Sequence, residues 1–113
     1  MHFNSIEGDF STLLQSHESL LIGRALTDFA NTSAFLFEYF PRINWVGFYL
    51  LENTTLYLGP FQGRIACTKI EIGKGVCGAA VERRQTLVVE DVHDFPGHIV
   101  CDSRSRSEIV IPL

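Results

Sequence analysis

The hydrophobic pattern of this chain changes period once, at Pro41, and that change constrains the fold more than any other feature. From Ser11 to Phe40, apolar residues recur at helical spacing: Leu21, Ala25 and Phe29, then Leu36 and Phe40, with Leu26, Ala30 and Phe37 widening the stripe. Pro41 cannot continue a helix. Beyond it the apolar residues alternate. Ile43, Trp45, Gly47, Tyr49 and Leu51 share one face of a strand, and Val46, Phe48 and Leu50 share the other. A helical block followed by strand periodicity predicts an α+β fold: an antiparallel sheet with helices packed on one face.

The rest of the chain can be divided by its turn chemistry. The polar stretch Gln15 to Ser19 is a place where the helical region can break in two. Glu52 to Thr55 reads as a hairpin turn, Leu56 to Leu58 as its returning strand, and Gly59-Pro60 as that strand's end. Ile65 to Ile70 reads as a strand carrying Cys67. Gly73 and Gly75 mark a loop, Val76 to Arg84 a short helix, and Leu87 to Glu90 a strand. Asp91 to Ser107 is rich in Asp, Pro, Gly, His and Ser, the composition of a functional loop. Ile109 to Ile111 is a last strand. With 113 residues the expectation is one domain over 1–113, its helical segment at about 10–40.

Composition removes several classes. Hydrophobic residues make up 46% and charged residues 19%, enough apolar surface for a packed core. Thirteen acids against nine bases leave a net charge of −4 with no basic cluster, which argues against nucleic acid as a partner. Residues 1–12 hold Glu7 and Asp9 and no continuous apolar run, so no signal peptide and no membrane association are expected. The default is the cytoplasm, where cysteines seldom form structural bridges.

There are three cysteines, Cys67, Cys77 and Cys101, and packing as small buried hydrophobes competes with reactivity for each. Cys101 lies near His98, Arg104 and Arg106, cations that favour a thiolate, while Asp102 opposes it. Cys77 falls in the first turn of the short helix, where free N–H groups favour an anion. Its neighbours Gly78, Ala79 and Ala80 argue equally for packing. Cys67, between Ala66 and Thr68, reads as core when taken alone. The cysteines are too widely spaced to nucleate zinc, so no metal and no other cofactor is expected. Trp45 and Tyr49 flank Gly47, which packing explains and a notch for a small apolar group would also use. Glu108, an acid beside an apolar run, ordinarily ends a strand in solvent.

Taken together, several segments resemble the free methionine-(R)-sulfoxide reductases, a family built on the GAF domain. They are Trp45-Val46-Gly47-Phe48-Tyr49, Gly59-Pro60-Phe61-Gln62-Gly63 with Ala66-Cys67, Gly73 to Gly78, Asp91-Val92 through Phe95 to Asp102, and Ser107 to Leu113. The resemblance runs from about Trp45 to the last residue, and the N-terminal helices fit only in kind. It implies a six-stranded antiparallel sheet and usually a homodimer. It also implies reduction of free methionine (R)-sulfoxide, with thioredoxin as electron donor. By the same resemblance Cys101 is the catalytic cysteine, Cys67 the one that resolves it into a disulfide, and Cys77 a third of less defined role. Trp45 and Tyr49 would line the substrate pocket and Glu108 would contact the substrate. The family pattern continues past Leu113 with a turn, further strands and a pair of aspartates. The expectation is therefore a GAF-like domain that lacks its final strands. Two other readings use the same cysteines: a non-catalytic GAF ligand-binding domain and a thiol redox sensor.

Overall fold

In a computed structural model of the protein, residues 6–97 and 106–113 are described, with side chains from Phe10 onward. Helix α1 (Ile6–Glu18) and helix α2 (Ala25–Tyr39) precede strand β1 (Trp45–Glu52). Helix α1 ends at Glu18, inside the polar stretch, and the break runs from Ser19 to Arg24. Gly23, at φ +83°, turns the chain there. The Asp28 carboxylate accepts from Ile22 N and Gly23 N, both at 3.0 Å, so the first turn of α2 holds its own approach segment.

The two helices meet through His17, whose Nε2 lies 2.7 Å from Thr32 Oγ1 and whose ring packs on Phe35. Helix α2 lies on the sheet. Phe29 stacks on Phe48 of β1 at 4.4 Å. Ser33 is 0% exposed and its hydroxyl faces two acceptors, Phe29 O at 2.8 Å and Pro60 O at 3.2 Å. The expected stripe included Leu26 and Phe37, but Leu26 is 73% exposed and Phe37 is also on the surface. The residues of α2 that are buried are Ser33 and Phe35. A buried serine on a helix is tolerated because its hydroxyl is satisfied.

Strand β2 (Thr55–Gly63) pairs antiparallel with β1 across a two-residue turn whose Asn53 takes φ +56°. Gly59-Pro60 does not end this strand, as its composition suggested. The register steps from Gly47↔Phe61 to Tyr49↔Leu58, so β2 carries one residue more than β1 there. Pro60 lacks an N–H and is accommodated at this bulge, where the ladder is already interrupted. Strand β3 (Lys69–Glu71) then pairs with β2, giving the order β1-β2-β3. It is shorter than expected, and Cys67 stands outside it, in the segment that joins β2 to β3.

Helix α3 (Gly75–Arg83) ends one residue before its predicted limit, because Arg84 adopts the left-handed conformation at φ +53°. The Arg84 N–H and the Gln85 N–H close the helix onto Ala80 O, the geometry of a Schellman cap. Val76, Ala79 and Ala80 of α3 are buried, as are Leu56 of β2, Ile70 of β3 and Val92. The helix sits close because Gly78 has no side chain. A Cβ there would lie 2.5 Å from Glu71 O and 3.0 Å from Gly73 N, both backbone atoms that cannot turn aside. Gly78→Ala is expected to lower stability by about 1–2 kcal/mol in urea unfolding. The overpacking cost of about 1–3 kcal/mol outweighs the helix-propensity gain of about 1 kcal/mol.

Strand β4 (Leu87–Val89) pairs antiparallel with β5 (Glu108–Val110), setting Val89 opposite Glu108. A short 3-10 turn (Val92–Asp94) follows β4, capped by Asp91, whose carboxylate accepts from His93 N at 3.0 Å. The five strands of the described residues thus form a three-stranded and a two-stranded ladder.

Candidate active site

Strand alternation puts Trp45 and Tyr49 on one face of β1. Their rings stack, with centroids 6.2 Å apart. The notch expected at Gly47 is filled: a Cβ there would meet the Trp45 ring at 2.8 Å and the Phe61 backbone at 2.9 Å. Phe61, opposite Gly47 on β2, also stacks on Trp45, with centroids 5.6 Å apart. The aromatic wall is therefore Phe61-Trp45-Tyr49. Phe61 was not recognised from the sequence as part of the wall, because its place opposite Gly47 depends on the register set by the bulge.

Tyr49 reaches past the wall. Its hydroxyl donates to the carbonyl oxygen of Cys67 at 2.7 Å. Burial pushes the phenol up to about 12, and the neighbouring Cys77 and Glu108 push the same way. Cys77 is also pushed up to about 12, first by burial and then by Glu108. Burial raises the Glu108 carboxyl above its ordinary range. The favourable setting expected for a thiolate in the first turn of α3 is therefore overridden. Burial and a nearby carboxyl keep Cys77 a protonated thiol at neutral pH. Glu108, a solvated strand end by residue type alone and a substrate contact by the family resemblance, is half-buried in the electrostatic neighbourhood of Tyr49 and Cys77.

Cys67 is disulfide-bonded and Cys77 is free. Cys101 lies outside the described residues, as do His98, Asp102 and Arg104. The roots of that segment are placed. Gly97 O accepts from Gly75 N at 3.1 Å, two residues before Cys77, and Arg106 O accepts from Val92 N at 2.6 Å, two residues before Glu108. Gly97 and Arg106 thus lie at the start of α3 and at the approach of β5.

Trp45 Nε1 is a buried donor with no hydrogen-bond partner among the described residues. Such an atom is costly unless something accepts from it. An open depression of about 490 Å³ lies along β4 and Asp91 to Pro96, and shares no side chain with the aromatic wall, Cys77 or Glu108. Among the described residues no group of three or more His, Cys, Asp or Glu could hold a metal ion, and no helix is long and apolar enough to cross a membrane.

No family model matches the chain. It is 53% identical over 111 residues to the free methionine-R-sulfoxide reductase of Escherichia coli, covering 98% of this chain and 64% of the relative. It thus spans a little under two thirds of that protein's length. The fRMsr of Staphylococcus aureus, solved in complex with substrate, superposes with a TM-score of 0.84 at 51% identity, covering 92% of this chain and 69% of that one. A solved GAF domain superposes at 0.82 with 42% identity, covering 90% of this chain and 63% of its own. With half its residues shared across most of its length, and the same α+β framework beneath them, the chain belongs to the free methionine-R-sulfoxide reductase family of GAF-fold proteins.

Proposed function

We propose that this protein reduces free methionine (R)-sulfoxide to methionine through a cysteine thiolate at Cys101, with Cys67 resolving the product into a disulfide. The observation that carries this reading is the convergence around Tyr49 of an aromatic wall, a carboxyl whose pKa burial raises and a disulfide-bonded cysteine. The family membership and a relative solved with its substrate support it.

Each part has a task. The Cys101 thiolate attacks the electrophilic sulfur of the sulfoxide. The oxygen leaves only if protonated, and Glu108 holds its proton to higher pH than an exposed carboxyl does. The protonated oxygen then passes to the Cys101 sulfur as its bond to the methionine sulfur breaks, so methionine departs and Cys101 is left as a sulfenic acid. The Cys67 sulfur then attacks that sulfur: an S–S bond forms, the S–O bond breaks, and the oxygen leaves as water. A dithiol partner returns both cysteines to thiols by exchange. In the cytoplasm that partner is thioredoxin. Ile65, two residues before Cys67, is 88% exposed, so this segment lies open to a docking protein. The aromatic wall would hold the methyl and sulfur end of the substrate, and the working unit is a homodimer.

The test follows oxidation of NADPH in the presence of thioredoxin and its reductase. This chain, and a version extended to the length of its relatives, are each offered the (R) and the (S) sulfoxide. Turnover of the (R) form alone is expected. Turnover of neither by the extended chain sinks the reductase reading.

A further inference from the structure

Cys67 stands in a segment outside the sheet, yet its disulfide chemistry demands that its sulfur be placed to within a fraction of an ångström. Something must hold that backbone. Two hydrogen bonds do so from the sheet: Leu58 N donates to Thr68 O at 2.9 Å, and the Tyr49 hydroxyl donates to Cys67 O at 2.7 Å. The second is unusual in origin. Tyr49 belongs to the aromatic wall, so the side chain that faces the substrate also grips the cysteine residue itself. The bond is part-buried and short, and it is made in the disulfide-bonded state of Cys67. Burial of the phenol keeps it in its donating, protonated form across the physiological range.

We infer that the Tyr49 hydroxyl is a positioning residue for Cys67, holding its backbone where the disulfide closes. This deepens the proposed reductase cycle and rests on it for the identity of the partner sulfur, Cys101. Losing the bond frees the Cys67 backbone. Closure then slows, and the disulfide weakens relative to the two thiols, because the bond favours the closed form. A hydrogen bond of ordinary net strength corresponds to a change of about fivefold in each.

Hydrogen peroxide tests this without the substrate, so a pocket defect cannot intrude. Peroxide oxidises the Cys101 thiolate: an S–O bond forms, the O–O bond breaks, and the leaving oxygen departs as water. Closure by Cys67 then proceeds as in the reductase cycle. The reduced chain and its Tyr49→Phe variant each receive one equivalent of peroxide. Disulfide formation is followed by mass spectrometry, with dimedone trapping any sulfenic acid. The expected results are closure about fivefold slower in the variant, more dimedone adduct on Cys101, and a reduction potential about 20 mV more oxidising in a thiol redox buffer. Equal closure rates and equal potentials overturn the inference, even if the variant melts at a lower temperature. Should Tyr49→Phe not fold, carbonyl-¹³C cysteine labelling of the parent chain reads the bond directly. A Cys67 carbonyl without the downfield shift of a bonded one overturns it too. Slowed closure in a protein that turns over neither sulfoxide sinks the reductase reading and leaves this one standing. A disulfide from Cys67 to any residue but Cys101 sinks this one.

Discussion

Cys101→Ser is expected to abolish turnover of methionine (R)-sulfoxide, lowering kcat/KM by at least about a thousandfold. A hydroxyl in place of the thiol is almost wholly protonated at neutral pH and attacks sulfur poorly. It also cannot form the sulfenic acid on which the rest of the cycle depends. Neither remaining cysteine can substitute. Cys77 is half-buried and its thiol is pushed up to about 12, first by burial and then by Glu108, so its thiolate is scarce at neutral pH. The same variant makes a second, independent statement about Cys67. That residue is disulfide-bonded and Cys77 is free in the parent protein. If Cys67 pairs with Cys101, the air-oxidised variant will show both Cys67 and Cys77 as free thiols on denaturation. Retained turnover, or no rise in free thiol, would show that Cys101 is not the nucleophile.

Glu108→Gln is the second large effect. A carboxyl that delivers a proton to a departing oxygen contributes about 10²–10⁴ in rate, and kcat should fall by that order. Glutamine keeps the shape and a hydrogen bond but has no proton to give. The pH dependence supplies the sharper signature. The parent needs Glu108 protonated, so one limb of its kcat declines as pH rises through the folded-state pKa of this carboxyl, while the need for the Cys101 thiolate sets a separate limb at lower pH. Burial has moved that pKa above 4.5, which carries the active form upward in pH. The variant should lose the declining limb. Stability follows the same sign. A carboxyl whose folded pKa is raised stabilises the fold fully below 4.5, and that contribution is lost as pH rises through the raised value. Urea midpoints of the parent should therefore fall across that window, and those of Glu108→Gln should not. A declining limb that persists in the variant assigns the proton to another group.

The elements legible in the sequence were those with strong local period. The change at Pro41 located the end of α2 and the start of β1, and the turn at Asn53 located the hairpin. What depended on register was not legible. Gly59-Pro60 carries the composition of a strand end, but β2 passes through it at a bulge, and no local signal tells a bulge from a stop. The bulge in turn sets Phe61 opposite Gly47, so the third ring of the wall was missed with it. Ser33 was missed because a hydroxyl at a helical core position is visible only once Phe29 O and Pro60 O are seen beside it. In the site, Trp45 and Tyr49 were readable as a face of one strand. For Cys77 the sequence offered both a helix N-terminus and small packing neighbours, and the burial that decides between them is not visible in a linear reading. Glu108 took its meaning from Val89 across the ladder and from α3, neighbours that a linear reading does not supply.

Trp45 is the only tryptophan in the chain, and it stacks with Tyr49 and Phe61 in the wall of the site. Its indole N–H is out of contact with solvent. The protein therefore carries its own optical reporter at the one place where reporting is useful. Indole emission follows the polarity, contacts and hydrogen bonding of the ring. Tyr49 stacks on that ring and donates its hydroxyl to the Cys67 carbonyl. Occupancy of the wall and oxidation of the cysteine should thus both be visible in the light of one residue, with no label attached.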